Sequence, residues 1–273
     1  MSENVHTVVR DRYAEVAKSQ SCCGGSSSEG SSCCGQAAGE SQSTDWGYTI
    51  DELRALPEGA DLALGCGNPT ALASLEAGQT VVDLGSGGGI DCFLAAKRVG
   101  PSGRVIGVDM TPEMLERARQ NAAKAGAENV EFRLGEIEHL PIADDSVDVV
   151  ISNCVINPSP DKDQVFAEAF RVLKSGGKLM VSDLVVSEPL PAPMQQNLVL
   201  LAGCIAGAMV EADYLEAARG AGFADVRVIH ASEYLKHDHL EGLAKQAGIS
   251  TADAKFIAEH LRSVAVTGLK ADG

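Results

Sequence analysis

With 273 residues and 45% hydrophobic side chains, the chain can fold as one large domain with an appendage, but at 4% aromatics its core must be built from Ala, Val, Leu and Ile. A net charge of −16 without any cluster of Lys and Arg excludes a nucleic acid partner, because such binding works by displacing counterions from phosphates. No charged leader precedes an apolar stretch, and no apolar run reaches membrane-spanning length, so no membrane partner and a cytoplasmic setting are expected. In that reducing compartment the eight cysteines are catalytic, ligating or buried rather than disulfide staples.

In chain order, Val5, Val8, Val9, Tyr13 and Val16 recur at roughly helical spacing and predict a short amphipathic helix over 5–18. Residues 19–43 are almost wholly Ser, Gly, Cys, Gln, Glu and Ala. That composition buries too little apolar surface to offset ordering, so 1–44 is expected as a mobile N-terminal arm. The arm carries the adjacent pairs Cys22-Cys23 and Cys33-Cys34. Zinc sites prefer a gap inside each pair, which leaves a flexible thiol arm that captures or exchanges a soft ion, or a dispensable tail.

From 45 to 186 strands and helices alternate. Strands are predicted over 80–84, 104–109, 130–134, 147–152 and 178–183, and helices over 90–98, 113–125 and 163–173. Thr111 caps the second of these helices, Pro112 opens it and Gly126 stops it. This alternation predicts a parallel sheet with ligands at the strand carboxyl ends. In the last segment, 187–273, a Pro-rich link leads to a helix over about 194–203, expected as a lid over those strand ends. A further helix is predicted over 212–221 and strands over 226–229 and 264–266, with 233–262 as a helical insertion. His237 and His239 lie on this polar insertion and read as a solvated pair.

The first strand ends in Asp83-Leu84-Gly85-Ser86-Gly87-Gly88-Gly89. Dinucleotide folds prefer G-x-G-x-x-G; here Gly85, Gly87 and Gly89 form G-x-G-x-G behind an acid. The pattern resembles class I S-adenosylmethionine-dependent methyltransferases. The resemblance implies an α/β, Rossmann-like fold with a seven-stranded, mostly parallel sheet closed by an antiparallel edge hairpin. It also implies S-adenosylmethionine as cofactor. Gly85, Ser86 and Gly87 would approach it closely, and Asp83 would suit its ammonium group. Asp109, with Met110 next to it, would accept the ribose hydroxyls. Glu136 and Ile137 would flank the adenine, and Asn153 would face the reacting centre.

Three solitary cysteines surround this turn: Cys66 in a Gly-rich loop before the first strand, Cys154 directly after Asn153, and Cys204 at the end of the lid helix. Cys92, flanked by Phe93 and Leu94, reads as a core residue. Leu64-Gly65-Cys66-Gly67-Asn68-Pro69, Gly107-Val108-Asp109-Met110-Thr111, Gly135-Glu136-Ile137-Glu138, Ser152-Asn153-Cys154-Val155-Ile156-Asn157 and Cys204-Ile205-Ala206-Gly207-Ala208 together resemble the arsenite methyltransferase family. Pro158 and Ser175 depart from its pattern. The resemblance implies that Cys66, Cys154 and Cys204 are the catalytic residues and bind trivalent arsenic as thiolates, its preferred ligands. The activity implied is methylation of arsenite, then methylarsenite, in arsenic detoxification. Its partners would be these arsenicals as thiol conjugates, with thioredoxin or glutathione as reductant. Two other readings stay open: a methyltransferase for another small molecule with structural cysteines, and a non-enzymatic soft-metal binding protein.

Overall fold

The computed structural model describes residues 2–19, 42–235 and 240–272. Cys22, Cys23, Cys33, Cys34, His237 and His239 lie outside the described residues. The chain opens with α1 (Ser2–Ser19), followed by a 3-10 turn (Gln42–Trp46) and the short helices α2 (Ile50–Arg54) and α3 (Pro69–Leu72). The sheet region comprises β1 (Thr80–Leu84), α4 (Ile90–Val99), β2 (Arg104–Asp109), α5 (Pro112–Ala125), β3 (Val130–Leu134), β4 (Val147–Asn153), α6 (Lys162–Val172) and β5 (Leu173–Val186). It continues through α7 (Ala192–Gln195), α8 (Leu198–Ala202), β6 (Met209–Val210), α9 (Glu211–Gly220), β7 (Ala224–Glu233), α10 (Leu240–Ala247), α11 (Thr251–His260) and β8 (Leu261–Leu269).

The strand order is β3-β2-β1-β4-β5-β8-β7. The first five strands are parallel, and β8 and β7 form the antiparallel edge. One strand exceeds the seven expected: β6 pairs Met209 and Val210 with Val185 and Val186. Alternate residues of a strand point to opposite faces. Val82, Leu84, Ile106 and Val108 therefore meet Phe166, Ala169, Tyr214 and Ala218 on one side. Val81, Val105, Val149 and Ile151 meet Phe93, Ala96, Leu115 and Ala118 on the other. Cys92 is fully buried in this second layer, as its neighbours suggest.

Two segments differ from expectation. Residues 2–19 are a seated helix rather than part of a free arm: Tyr13, Val16 and Ala17 pack on Leu62 and Met114, and Lys18 pairs with Glu113 at 3.0 Å. The lid helix is broken. The Asn197 side chain accepts from the amides of Val199 and Leu200 and so starts α8 afresh, because such local bonding competes with a continuing helix. No helix among the described residues is long and apolar enough to cross a membrane.

Candidate functional site

At the carboxyl ends of β1, β2 and β4 lies a cavity walled by the glycine turn, by residues 60–65 and by His6, Val9 and Tyr13 of α1. Gly85 has φ +65°, and a Cβ there would stand 2.4 Å from the Val155 methyls, so the turn and the loop after β4 close on each other only across a glycine. Gly87, at φ +50°, faces open space instead.

The wall is acidic. Asp61, Asp83, Asp91, Asp109 and Glu138 line it, and His6 is the one lining side chain among the described residues able to carry positive charge. Asp109 accepts the Gly87 amide at 2.9 Å and the Thr111 amide at 2.8 Å. Burial nonetheless raises its carboxyl above the ordinary range, the two amides opposing it. Asp83 is held well above that range by burial, then by Asp91, and takes a hydrogen bond from the Cys92 thiol at 3.2 Å. Asp91 is also raised by burial, although Tyr48 donates to it at 2.8 Å, Thr70 at 2.9 Å and Asn153 at 3.2 Å. Buried carboxylates without a cation call for one.

Of the residues expected to hold the cofactor, Asp83, Gly85, Ser86, Gly87, Asp109, Met110, Ile137 and Asn153 line this cavity. Glu136 does not. Its side chain turns outward, 45% exposed, meeting the other nitrogen of His6 at 3.7 Å, while Glu138 faces inward to His6 at 3.0 Å and to Ser159. Asn153 acts through the wall rather than from a bare strand end: it donates to Tyr48 Oη and the Gly67 carbonyl and accepts the Cys66 amide. The set fits a cationic adenosyl cofactor. Asp109, bonded by the Gly87 and Thr111 amides and by the Thr111 side chain, keeps one acceptor position for a hydroxyl, Gly87 opens toward the ligand, and the buried Ser86 Oγ has no hydrogen-bond partner.

Beyond Asn153 the chemistry changes. Cys66, Cys154 and Cys204 are buried together with Leu184, Leu190, Met194, Leu200 and Ile205. Only Cys154 also lines the cavity. The three sulfurs do not form a cage in this conformation. Cys66 and Cys154 are joined as a disulfide with Cα atoms 5.9 Å apart, and Cys204 Sγ donates to the Cys154 carbonyl at 2.8 Å. Burial, then the Asp183 carboxylate, holds the Cys204 thiol well above its usual range, against the Tyr13 hydroxyl and Lys162. Cys154 and Cys204 both have left-handed backbone, at φ 60° and 62°. Such strain in non-glycine residues persists only where the surroundings fix it. Here the Cys154 amide bonds the Ser182 carbonyl at 2.7 Å, and Asn157 ties Leu184 to Cys204 at 2.6 and 3.3 Å.

Sequence reading missed His6, Tyr13, Tyr48 and Asp91. An acid in the first turn after the glycine loop could have flagged Asp91; nothing local marks Tyr48 or places α1, itself expected as a helix, against the cavity.

A family model described as a methyltransferase domain matches residues 75–248. An arsenite methyltransferase of Halobacterium salinarum is 51% identical over 235 residues, which is 85% of this chain and 60% of that protein. The human arsenite methyltransferase is 42% identical over 56% of this chain and 43% of its own length. The crystal structure of an arsenic (III) S-adenosylmethionine methyltransferase from Chlamydomonas reinhardtii is 41% identical with a TM-score of 0.63, covering 77% of this chain and 68% of that one. The chain thus spans about 60% of the length of the first curated relatives it matches.

Proposed function

The chain belongs to the arsenite methyltransferase family of S-adenosylmethionine-dependent enzymes, and on that premise we propose that it methylates trivalent arsenic, first arsenite and then methylarsenite. One observation carries the reading. Cys154 belongs at once to the wall of a cavity built for a cation and to a buried cluster of thiols. A positively charged methyl donor and a soft acceptor would meet there.

S-adenosylmethionine supplies a methyl group on a positively charged sulfur. Asp109 would hold a ribose hydroxyl, Asp83 and Asp91 its ammonium group, and the glycine turn its methionyl part. On the other side, reduced Cys66, Cys154 and Cys204 release their protons as they take up arsenic. Arsenic held by three thiolates keeps a lone pair, which is the nucleophile, so no residue need remove a proton. That suits a site whose thiols sit among apolar side chains with no His beside them among the described residues. The protein's main contribution is alignment.

Methyl transfer leaves arsenic pentavalent. Two of its thiolates, Cys66 and Cys154, can couple as they leave, returning two electrons to arsenic and forming the disulfide, while a thiolate from a cellular thiol takes the vacated position beside Cys204 and neutralises the charge brought by the methyl group. A cellular dithiol system such as thioredoxin, or glutathione, would then reopen the pair by exchange.

The test is incubation with arsenite, S-adenosylmethionine and a thiol, resolving the methylated species over time. Cys154→Ser should lower arsenite methylation at least about a hundredfold, roughly 2.7 kcal/mol, with cofactor affinity within about twofold of the parent. Retained methylation in that variant rejects the thiol-bound arsenic.

A further inference from the structure

Asp183 is a buried acid with no part in the reaction above. It lies on β5 with no solvent exposure. Its Oδ1 accepts the Leu184 amide at 2.9 Å and its Oδ2 the Tyr214 hydroxyl at 3.3 Å, and the Asn157 amide also bonds the carboxylate, which leaves it one acceptor position for a ligand. One carboxylate oxygen and the sulfurs of Cys66 and Cys154 lie within 4.8 Å of one another. Cys204 is not one of this group.

We propose that the reduced chain binds a borderline divalent cation, zinc in particular, through Cys66, Cys154 and Asp183, a site sharing two sulfurs with the proposed arsenic site and excluding arsenic while filled. The shared cysteines are all that it takes from the functional reading above. Zinc accepts sulfur and carboxylate oxygen alike at about 2.0–2.3 Å, so on reduction the two sulfurs part from bonding distance and the carboxylate oxygen draws in to meet the ion between them. Trivalent arsenic is softer and takes a third sulfur in preference to an oxygen. The third ligand therefore sorts the two guests: Asp183 for zinc, Cys204 for arsenic. Charge favours the cation. Two thiolates and a carboxylate leave one negative charge around a divalent ion, and Lys162 faces Asp183 to balance it. Cys154 gives the ion a way in from the cavity and leaves a fourth position for water. Binding releases the two thiol protons and changes no oxidation state.

The experiment uses the full chain with Cys22, Cys23, Cys33 and Cys34 changed to Ser, reduced with a phosphine, and zinc measured by competition with a chromophoric chelator. One zinc per chain is expected. Asp183→Asn should weaken zinc at least about tenfold, while Cys204→Ala leaves it within about twofold. Arsenite binding should show the reverse pattern. Cobalt substitution should give a thiolate charge-transfer band in the parent that Cys66→Ala removes. S-adenosylmethionine affinity reports whether each variant is folded. Zinc binding indifferent to Asp183→Asn in a folded variant, or lost in Cys204→Ala, overturns the proposal. If zinc shows the expected pattern and arsenite does not bind at all, the functional reading fails and this site stands.

Discussion

On the β1–β2 side of the cleft the ligand-facing groups are carboxylates and backbone amides; on the β4–β5 side they are sulfurs set in Leu, Ile and Met. The first side is assembled from one short stretch, a strand, its glycine turn and the next strand end. The second draws on residues 66, 154 and 204, from three separate loops. On the proposed function, the contrast follows from the ligand each side would hold. A cation is recognised by fixed charge in a wall that water no longer screens. A soft, uncharged centre is recognised by covalent preference, which needs few atoms but places them from several directions. The cost to the polar half is burial, its acids pushed up in pKa, whereas the sulfur half carries its strain in two left-handed cysteine backbones.

Gly85 is where the halves touch, so Gly85→Ala should disturb both. Its positive φ and the 2.4 Å approach to Val155 predict a stability loss of about 2–4 kcal/mol, read by chemical denaturation. If only cofactor binding changes and stability does not, the halves are not mechanically joined there. Asp109→Asn separates them instead. It removes charge from an acceptor of two backbone amides and should weaken S-adenosylmethionine by about 1.5–3 kcal/mol in a calorimetric titration, with arsenite binding to the reduced chain unchanged.

The smallest effect is on pH dependence, and its sign sharpens the contrast. Burial raises Asp83, Asp91 and Asp109, so folding takes up protons between the ordinary carboxylate range, near about 4, and the raised values. Across that window the free chain should lose stability as pH rises. The cofactor's cation favours the ionised carboxylates, so its affinity should rise over the same window, by up to about tenfold per pH unit for each group deprotonated on binding. Thermal melts with and without S-adenosylmethionine, recorded across pH, check both slopes. Affinity that does not move with pH would place the cation away from these acids.

The strands of the parallel core were legible because each is a short apolar run bounded by glycine or an acid, and the G-x-G-x-G turn sets the connection from β1 into α4. The placement of Asp83, Ser86, Gly87 and Asp109 at the strand ends was readable for the same reason: it depends on neighbours within a few residues. The break at Asn197 was in principle local too, but an Asn within an apolar run competes with helix only if its side chain turns back on the backbone, and that depends on Ala247, to whose carbonyl it also bonds at 2.7 Å. Glu136 and Glu138 are alike in sequence; that Glu138 is the one facing the cavity goes with its bonds to His6, from a helix more than a hundred residues away, and to Ser159.

The parallel strands and the acids and glycines at their ends could be read from the chain alone, because propensity, turn chemistry and strand-end position are short-range properties. Only the tertiary structure decided that α1 covers the cavity, that Tyr48 and Asp91 brace Asn153, and that Cys66 faces Cys154 and Asp183 while Cys204 stands apart. Those relations are distances between segments far apart in the chain, set by how the layers pack on the sheet, and no local pattern encodes them.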